Sequence, residues 1–459
     1  MSSIPGKRIG SLFLAAAGLL ALLITVCPVS AFSAEYNCMD PFDLIIYSGK
    51  SDGVAAKAYS SNYENNIYVS LTDLSAALNE TEKQFSFRYA KTDTEGEHFL
   101  ICPGEGFLQP DTSSSDAQRE QIWLEFRRNR LFYNGADRKY YTYRDETNDL
   151  YISLTDLQLM LDVTAEFVGE NRIYIHTDLP FRPDLGSLEA SGYFNYINGI
   201  VLGDANTGKI LYFKDPNKIT SIASTSKLMT FLLLAEAADA GKMSFSDSVV
   251  ISENAEKLSK SADGIIKMTA GMEVPAAELL DAMLVASSNE AALALAEHAY
   301  GTEEAFVDAM NRRAAELGLN SAEFFNPHGL PAYARSTVQT KLQNRMSAAD
   351  LFTLASYVID RYPSVTGITS QQYAVMPTLE YSTANSNPLV FNMPGVTGLK
   401  TGSTNKAGYC LAASMPVSFG EETHPIILIL LGSETGAERG QQAEMLLRYA
   451  EKYYSENGF

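Results

Sequence analysis

A serine and a lysine three residues apart are the first candidates for chemistry in this chain. Ser224 and Lys227 lie within Thr220–Thr230, where small polar residues lead into an apolar run over residues 231–240. The apolar run predicts a buried central helix, with Ser224 and Lys227 on one face of its first turn. A hydroxyl beside an amine that can take its proton is the arrangement of an activated nucleophile. A capping serine and a surface lysine would show the same pattern.

Two further polar motifs follow this pair along the chain. Ser287–Ser288–Asn289 lies at the joint between two predicted helices, and Lys400–Thr401–Gly402 lies in a run that predicts a strand. Each motif alone is typical of a helix cap or of a strand end. Together and in this order, the three motifs favour one catalytic site over three unrelated structural features.

The elements around the motifs predict one antiparallel sheet assembled from remote parts of the chain. Strands are predicted at residues 199–204, 209–213, 396–400, 409–414 and 426–431. Helices are predicted at residues 276–285, 290–298, 303–317, 348–360 and 437–454. The expected fold class is therefore α+β, with a helical subdomain inserted in the sheet and the central helix between the two layers.

The three motifs resemble the Ser-x-x-Lys, Ser-x-Asn and Lys-Thr-Gly pattern of penicillin-binding proteins and serine β-lactamases. The flanking segments at 199–208, 325–330 and 398–402 are similar to the low-molecular-mass D-alanyl-D-alanine carboxypeptidases. The resemblance covers about residues 194–454. It implies the penicillin-binding protein/β-lactamase-like fold for this part of the chain.

The resemblance also implies a role for the residues of the first two motifs. Ser224 would attack the carbonyl of the penultimate D-alanine of a peptidoglycan stem peptide, and Lys227 would accept its proton. Ser287 and Asn289 would relay the proton and hold the peptide. Near neutral pH, Lys227 is a base only if its pKa falls from about 10.4 by about 3 pH units, or ~4 kcal/mol. A helix dipole contributes about 0.3–1 kcal/mol, so desolvation and a second cation, which the family supplies as Lys400, must account for most of that fall.

The third motif would bind the end of the substrate. Lys400 and Thr401 would hold the terminal carboxylate, and Gly402 would let the substrate backbone pass close to the strand. The backbone N–H groups of Ser224 and Ser403 would form the oxyanion hole, and water would hydrolyse the acyl-enzyme. The sequence thus predicts a serine-type D-alanyl-D-alanine carboxypeptidase of cell wall biogenesis, which β-lactams inhibit covalently. It needs no cofactor, and the scattered histidines predict no metal site.

Two other functions stay open. Glu316–Asn320 has the Glu-x-x-Leu-Asn spacing of the deacylation loop in class A β-lactamases. The helical pattern before it continues to Glu316, however, and Gly318 predicts the end of that helix. The second alternative is a non-catalytic, penicillin-sensing protein that binds the wall. The presence of both Ser224 and Lys227 argues against it, because a binding module does not require a nucleophile beside its base.

The N-terminal half contains an internal repeat. Residues 66–74 and 149–157 share the pattern Tyr-(Val/Ile)-Ser-Leu-Thr-Asp-Leu. Each copy predicts a strand and a short helix, with Thr72 and Thr155 as the helix caps. The repeated pattern resembles amine-oxidase N-terminal-like domains of exported envelope proteins. The resemblance implies a binding or spacer role and no oxidase activity.

The extreme N-terminus predicts an export signal. Lys7 and Arg8 precede an apolar run over about residues 12–26, and small residues follow that suit cleavage after Ala31. An uncleaved anchor is the alternative, because the run is nearly long enough to cross a membrane. The protein is therefore expected outside the cell or at the envelope, associated with the wall or the membrane surface. The expected domains are a signal peptide at 1–31, a first α+β repeat at 35–102, a second repeat at 121–178, a linker at 179–191 and a serine DD-peptidase domain at 192–456.

Composition narrows the function further. The chain has 459 residues, 46% of them hydrophobic, and a formal net charge of −20. Nucleic-acid binding is not expected, since it requires a basic face. Cys38 and Cys102 would be able to pair in an oxidising compartment, whereas Cys410 lies in an apolar strand and is expected to be a buried thiol.

Overall fold

The computed structural model describes most of the chain. The described residues are 36–48, 53–61, 67–92, 96–105, 122–125, 130–133, 136–140, 142–145, 149–168, 172–190, 193–333 and 341–459. The predicted signal peptide and its cleavage site lie outside them. Within the described ranges, no helix has the length and apolar character that a membrane crossing demands. The chain divides into two compact units, and Ile175–Phe459 forms most of the larger one.

The N-terminal elements alternate strands with two short helices. They are β1 (Tyr36–Tyr47), β2 (Val54–Ser61), β3 (Ile67–Ser70), α1 (Leu71–Ala77), β4 (Phe85–Thr92), β5 (Gly96–Pro103), β6 (Ile122–Glu125), β7 (Arg130–Tyr133), β8 (Ala136–Tyr140), β9 (Thr142–Arg144), β10 (Leu150–Ser153), α2 (Leu154–Leu161), β11 (Thr164–Phe167) and β12 (Arg172–His176). In the smaller unit, hydrogen-bonded neighbours follow the order β12-β1-β2-β3-β10-β9-β6, and β4, β5 and β7 belong to a second sheet.

The strands that carry the two copies of the repeat are neighbours in this sheet. β3 and β10 pair antiparallel, with Val69 opposite Ile152, which are equivalent positions of the repeat. A local two-fold axis therefore relates β3 to β10. Four buried tyrosines form edge-on ring contacts on either side of it, with centroids 5.1 Å apart for Tyr59–Tyr151 and 4.6 Å apart for Tyr68–Tyr143.

The cap of each repeated helix is the serine that precedes it. Ser70 Oγ accepts a hydrogen bond from the backbone N–H of Asp73 at 3.2 Å, and Ser153 makes the equivalent bond in the second copy at 3.0 Å. The prediction that Thr72 and Thr155 are the caps is wrong. Each helix begins two residues earlier than predicted, at the leucine of Ser-Leu-Thr-Asp, so that the serine occupies the N-cap position.

Both cysteines whose side chains the structure describes are free thiols. Cys102 is half-buried in β5, and it forms no disulfide. The pairing with Cys38 that the sequence left open is therefore absent. Cys410 is fully buried, and burial raises the pKa of its thiol to about 12. It acts as a small apolar side chain of the sheet, as predicted.

After β12, the elements of the segment Ile175–Phe459 of the larger unit begin with a short helix inside the predicted linker. They are α3 (Leu185–Ala190), β13 (Gly199–Asp204), β14 (Ile210–Lys214), β15 (Thr220–Ser221), the 3₁₀ turn Ala223–Ser226, α4 (Lys227–Asp239), β16 (Ser248–Val250), α5 (Glu253–Ser259), β17 (Glu273–Pro275), α6 (Ala276–Leu284), α7 (Asn289–Tyr300), α8 (Glu303–Glu316), β18 (Ala332–Tyr333), β19 (Lys341–Leu342), β20 (Arg345–Met346), α9 (Ala348–Arg361), α10 (Ser364–Thr369), β21 (Tyr373–Met376), the 3₁₀ turn Pro377–Leu379, β22 (Tyr381–Ala384), α11 (Leu389–Asn392), β23 (Gly398–Thr404), β24 (Gly408–Phe419), β25 (Glu422–Ser433) and α12 (Gly436–Asn457).

One antiparallel sheet joins the two ends of this unit. Its strand order is β14-β13-β25-β24-β23, and each neighbouring pair is antiparallel. β13 and β25 hydrogen-bond to each other although more than two hundred residues separate them. The long apolar β25 is buried over Ile426–Leu431, as expected for a strand covered on both faces. These pairings confirm the predicted antiparallel sheet built from remote parts of the chain.

Helix α4 lies in the apolar core between the sheet and the other helices. Leu228, Met229, Leu232 and Leu234 have no exposed surface. The helix contacts α7 and α8 on one side and α9 on another. Apolar side chains point in every direction because every side of the helix is covered. Lys227, the candidate base and the first residue of α4, is therefore shielded from water.

Replacing Leu232 with alanine tests the role of this helix as the centre of the core. The Leu232→Ala variant should lose about 2–5 kcal/mol of unfolding free energy, because the cavity it leaves cannot fill completely. Urea unfolding followed by far-UV circular dichroism measures the loss. Leu185→Ala removes the same atoms from a side chain that is 40% exposed, and it should cost less than about 1 kcal/mol. Equal losses in the two variants would contradict the central position of α4.

Candidate active site

The nucleophile and its neighbour lie where a tight turn becomes a helix. Ser224 belongs to the 3₁₀ turn Ala223–Ser226, and Lys227 is the first residue of α4. Lys227 Nζ lies 2.9 Å from Ser224 Oγ. Ser224 is half-buried, and Lys227 has no exposed surface. The alternative of a capping serine and a surface lysine is thus wrong for this pair.

Three oxygens surround the amine of Lys227. Besides Ser224 Oγ, they are Asn289 Oδ1 at 2.8 Å and the backbone carbonyl of His328 at 2.8 Å. The amide and carbonyl oxygens can only accept hydrogen bonds, so they take two hydrogens of the amine. A neutral amine has two hydrogens and one lone pair. In the structure Nζ also donates to Ser224 Oγ, and Ser224 Oγ donates to the His328 carbonyl at 3.3 Å. If the amine is neutral and keeps its two acceptors, its lone pair is left to face Ser224 Oγ, which is the geometry that proton transfer from the serine requires.

The joint between α6 and α7 supplies one of these oxygens. Ser288 caps α7 by accepting a hydrogen bond from the backbone N–H of Ala291 at 3.1 Å. Asn289 is the first residue of the helix, and its Nδ2 donates to the carbonyl of Asp263 at 3.0 Å, which turns Oδ1 towards Lys227. Ser287 has a φ of 66° and is half-buried. Its hydroxyl makes no hydrogen bond to the part of the chain that the structure describes, so Asn289 alone of the motif contacts the lysine.

The carbonyl of His328 is a contact that the sequence did not reveal, because a backbone oxygen carries no signal of residue type. The histidine lies in a turn held by Asn326, whose Oδ1 accepts from the backbone N–H groups of His328 at 3.2 Å and Gly329 at 2.6 Å. Asn344 Nδ2 in turn donates to the Asn326 carbonyl at 2.9 Å. The imidazole is buried, and burial together with the charge of Lys227 lowers the pKa of His328 to about 3. The ring is therefore neutral, in line with the predicted structural role.

The third motif lies on β23, at the edge of the sheet. Lys400 is 1% exposed, and its Nζ donates to the carbonyl of Thr401 at 3.1 Å. Thr401 donates its hydroxyl to Ser386 Oγ at 2.9 Å. Ser403 is exposed and lies one residue before the end of the pairing between β23 and β24. The strand thus carries one buried cation and one hydroxyl side by side.

Gly402 brings this strand against the nucleophile. A Cβ atom at this position would lie 2.7 Å from the backbone nitrogen of Ser224 and 3.0 Å from that of Thr225. Real Cβ atoms do not approach a backbone nitrogen so closely, so only glycine allows β23 to reach the 3₁₀ turn. The glycine therefore has a structural role beside the one predicted for substrate passage.

Burial dominates the electrostatics of the site. Burial, then the positive charge of Lys400, holds the pKa of Lys227 well below its usual range, while the carboxylate of Glu290 opposes this fall. Burial and the charge of Arg439 lower the pKa of Lys400 to about 7. Desolvation and a second cation are thus the two causes of the fall in the pKa of Lys227, as the sequence predicted.

Glu290 is a second group that the sequence did not single out. It follows Asn289 in α7 and has no exposed surface. Its Oε1 accepts from the backbone N–H of Ile265 at 3.0 Å and from that of Ile266. Within the described residues, its Oε2 has no hydrogen-bond partner. The carboxylate thereby fixes the loop that also presents the Asp263 carbonyl to Asn289.

Glu316 lies away from these contacts. It is the last residue of α8, its side chain is 55% exposed, and it forms an ion pair with Arg313 at 3.2 Å. Gly318 has a φ of 71° just after the helix, as is usual where a helix stops. The interpretation of Glu316 as a helix residue is confirmed.

Within the described ranges, no three His, Cys, Asp or Glu side chains lie close enough together to hold a metal ion.

The larger unit thus combines an antiparallel sheet and helices with a serine hydroxyl 2.9 Å from a buried lysine amine. Residues 197–435 match the peptidase S11 family, described as D-alanyl-D-alanine carboxypeptidase, and the chain belongs to this family. It is 37% identical over 257 residues to the D-alanyl-D-alanine carboxypeptidase DacF of Bacillus subtilis, with 55% of this chain and 62% of the relative covered. The match thus spans less than two thirds of that relative's length.

Two solved structures share the fold. A peptidoglycan synthesis regulatory factor (PBP3) from Streptococcus pneumoniae is 31% identical, with a TM-score of 0.52 over 56% of this chain and 72% of the other. Penicillin binding protein 6B from Escherichia coli is 27% identical, with a TM-score of 0.50 over 56% of this chain and 78% of the other. These similarities confirm the predicted α+β, penicillin-binding protein-like fold.

A Gly402→Ala substitution tests the contact between β23 and the nucleophile. The new methyl group would displace the backbone of Ser224, and displacements on the scale of 1 Å cost about 100-fold in rate. The rate of covalent labelling by a fluorescent penicillin should fall by about that factor. Gly440→Ala is the control, because nothing lies within 4 Å of its added Cβ. Labelling of Gly402→Ala at the wild-type rate would show that the turn does not depend on this contact.

A Glu290→Gln substitution tests the electrostatic control of Lys227. The charge of Glu290 raises the pKa of Lys227, so removing it should lower that pKa further. Because only neutral Lys227 can accept the proton, the acid limb of the labelling rate against pH should move to lower pH. Glu278→Gln, which removes a carboxylate bonded to Thr378, should leave the limb in place. A shift to higher pH, or none, would contradict the assignment.

Proposed function

We propose that this protein is a serine D-alanyl-D-alanine carboxypeptidase, which removes the terminal D-alanine from peptidoglycan stem peptides. The observation that carries the proposal is the buried amine of Lys227, whose Nζ lies 2.9 Å from Ser224 Oγ and 2.8 Å from both Asn289 Oδ1 and the His328 carbonyl oxygen. Membership of the peptidase S11 family supports the substrate class.

In the first step, Ser224 Oγ attacks the carbonyl carbon of the penultimate D-alanine. The serine proton moves to Lys227, and a C–O bond forms as the carbonyl becomes an oxyanion. The backbone N–H groups of Ser224 and Ser403 stabilise that oxyanion, a role supported by the close approach of β23 to the turn at Gly402. The ammonium that results lies in the low-dielectric core beside Lys400, and it therefore releases its proton readily.

The proton then leaves with the amine of the departing D-alanine as the C–N bond breaks. Ser287 carries the proton from Lys227 to that amine. Its hydroxyl is available for this step because it makes no hydrogen bond to the described residues. Asn289 holds the side of the substrate peptide while its Oδ1 keeps Lys227 in place. Water attacks the ester carbon in the second step, and Ser224 recovers its proton.

Lys400 and Thr401 bind the terminal carboxylate of the substrate. The carboxylate brings a negative charge beside a buried cation, an arrangement in which a charge-assisted hydrogen bond is strong. β-lactams carry a carboxylate at the matching position and acylate Ser224. The ester they form blocks the site and makes them covalent inhibitors.

The location and the N-terminal half belong to the same proposal. We infer that residues 1–31 direct export and that the enzyme works in the cell envelope, in contact with the wall or the membrane surface. The proposed domains are two α+β repeats at 35–102 and 121–178, a linker at 179–191 and the peptidase domain at 192–456. The local two-fold pairing of β3 and β10 supports a duplicated, amine-oxidase N-terminal-like domain. Its role would be to bind the wall or to hold the peptidase domain away from the membrane.

Removing the hydroxyl of Ser224 tests the function. The exported protein should release free D-alanine from an acyl-D-Ala-D-Ala peptide and be labelled by penicillin, and Ser224→Ala should abolish both. Ser226→Ala, which removes a hydroxyl that donates to Ala223 O at 2.9 Å in the same turn, should retain them. Labelling of Ser224→Ala would move the nucleophile elsewhere. Rapid turnover of penicillin by the wild type would instead identify a β-lactamase.

A further inference from the structure

A segment outside the three motifs joins the walls of the site. Asn385 and Asn387 flank Ser386 between β22 and α11 and are buried. Asn385 Nδ2 donates to the carbonyls of Thr369 at 3.0 Å and Gln371 at 2.7 Å. Asn387 Nδ2 donates to the carbonyl of Gly398, the first residue of β23, at 3.3 Å. The two asparagines thus fix the backbone on either side of Ser386.

Ser386 itself contacts both other walls. Its backbone N–H donates to the carbonyl of Val285 at 3.0 Å, just before the motif that contains Ser287. Its Oγ accepts the hydroxyl of Thr401 at 2.9 Å. The side chain is half-buried, and across the described residues its own hydroxyl hydrogen has no acceptor. Ser386 therefore presents an uncommitted donor beside the residue that binds the carboxylate.

We propose that Ser386 is a further substrate-binding residue, whose hydroxyl completes the site for the terminal carboxylate of the substrate beside Thr401 and Lys400. The inference rests on the proposed function, because that carboxylate is the ligand in question. It assigns a part of the binding site to a residue outside the Ser-x-x-Lys, Ser-x-Asn and Lys-Thr-Gly motifs.

The hydrogen-bond inventory of the two hydroxyls leads to this role. A carboxylate can only accept hydrogen bonds, and each hydroxyl has a single hydrogen to give. Thr401 gives its hydrogen to Ser386, so in this arrangement Ser386 is the donor for the carboxylate. If Thr401 turns its hydrogen to the carboxylate, Ser386 can donate to Thr401 in its place. In the first arrangement the hydroxyl of Ser386 donates to the carboxylate. In the second it donates to Thr401 Oγ1 while Thr401 donates to the carboxylate.

The Ser386→Ala variant separates this role from a structural one. The backbone bond to Val285 and the bonds of both asparagines do not involve the Ser386 side chain, so the variant should fold normally. Two substrates with the same acyl-D-alanine group then make the test. One ends in D-alanine and carries the carboxylate, and the other is the phenyl ester, which forms the same acyl-enzyme without a carboxylate.

We expect kcat/KM for the peptide to fall about 10- to 100-fold in Ser386→Ala, as for the loss of one hydrogen bond to a charged group. For the phenyl ester, kcat/KM should stay within about twofold of the wild-type value. Ser386→Thr keeps a hydroxyl and should recover most of the activity on the peptide. Ser382→Ala, at an exposed serine of β22, should behave as the wild type with both substrates.

Two results would overturn the inference alone. One is an equal fall with both substrates, which would make Ser386 a residue of the general architecture. The other is an unchanged kcat/KM for the peptide in a variant whose wild type releases D-alanine. A wild type that releases no D-alanine from the peptide would overturn the proposed function, and the inference with it.

Discussion

The burial of one amine is the constraint on which the site depends. A fully buried ammonium carries a desolvation penalty of several kcal/mol, whereas a neutral amine with satisfied hydrogens carries far less. Lys227 has no exposed surface because it begins a helix that is apolar on every side. Its two hydrogens meet the Asn289 side chain and the His328 carbonyl. Burial therefore favours the neutral amine, the form in which Lys227 can serve as the proposed base towards Ser224.

Close packing against the 3₁₀ turn keeps the nucleophile in register with this base. Gly402 approaches the turn from the sheet, and Gly329 approaches it from the loop that carries His328. A Cβ at Gly329 would lie 2.1 Å from the Ala223 carbonyl oxygen, a closer clash than the 2.7 Å one at Gly402. The turn is thus held between two backbones that only glycine allows so near. Both glycines bring backbone against backbone, whereas most of the polar contacts around the turn are made by side chains on separate elements.

The sequence predicted what depends on periodicity and on residue type. β13 and the start of α8 lie where the pattern predicted them, since β13 is a continuous buried, mostly apolar run and α8 buries its apolar residues at helical spacing. Ser224, Lys227 and Asn289 were found because their side chains make the contacts. The contact of His328 was missed because it is made by the backbone carbonyl, which carries no signal of residue type. Ser386 was missed because a serine between two turn-forming asparagines looks like an ordinary loop residue. The caps of α1 and α2 were misplaced by two residues because serine and threonine are both good caps, and pattern alone does not choose between them.

The charge of the substrate completes the electrostatics of the proposed reaction. Burial and Arg439 bring the pKa of Lys400 to about 7, so the free enzyme holds this cation only in part near neutral pH. A carboxylate bound beside Lys400 favours its charged form. The charge thus retained disfavours protonation of Lys227, which keeps the base neutral while the substrate is present. A ligand without a carboxylate would lack this effect, so recognition of the terminal residue and activation of Ser224 are coupled through the same two lysines.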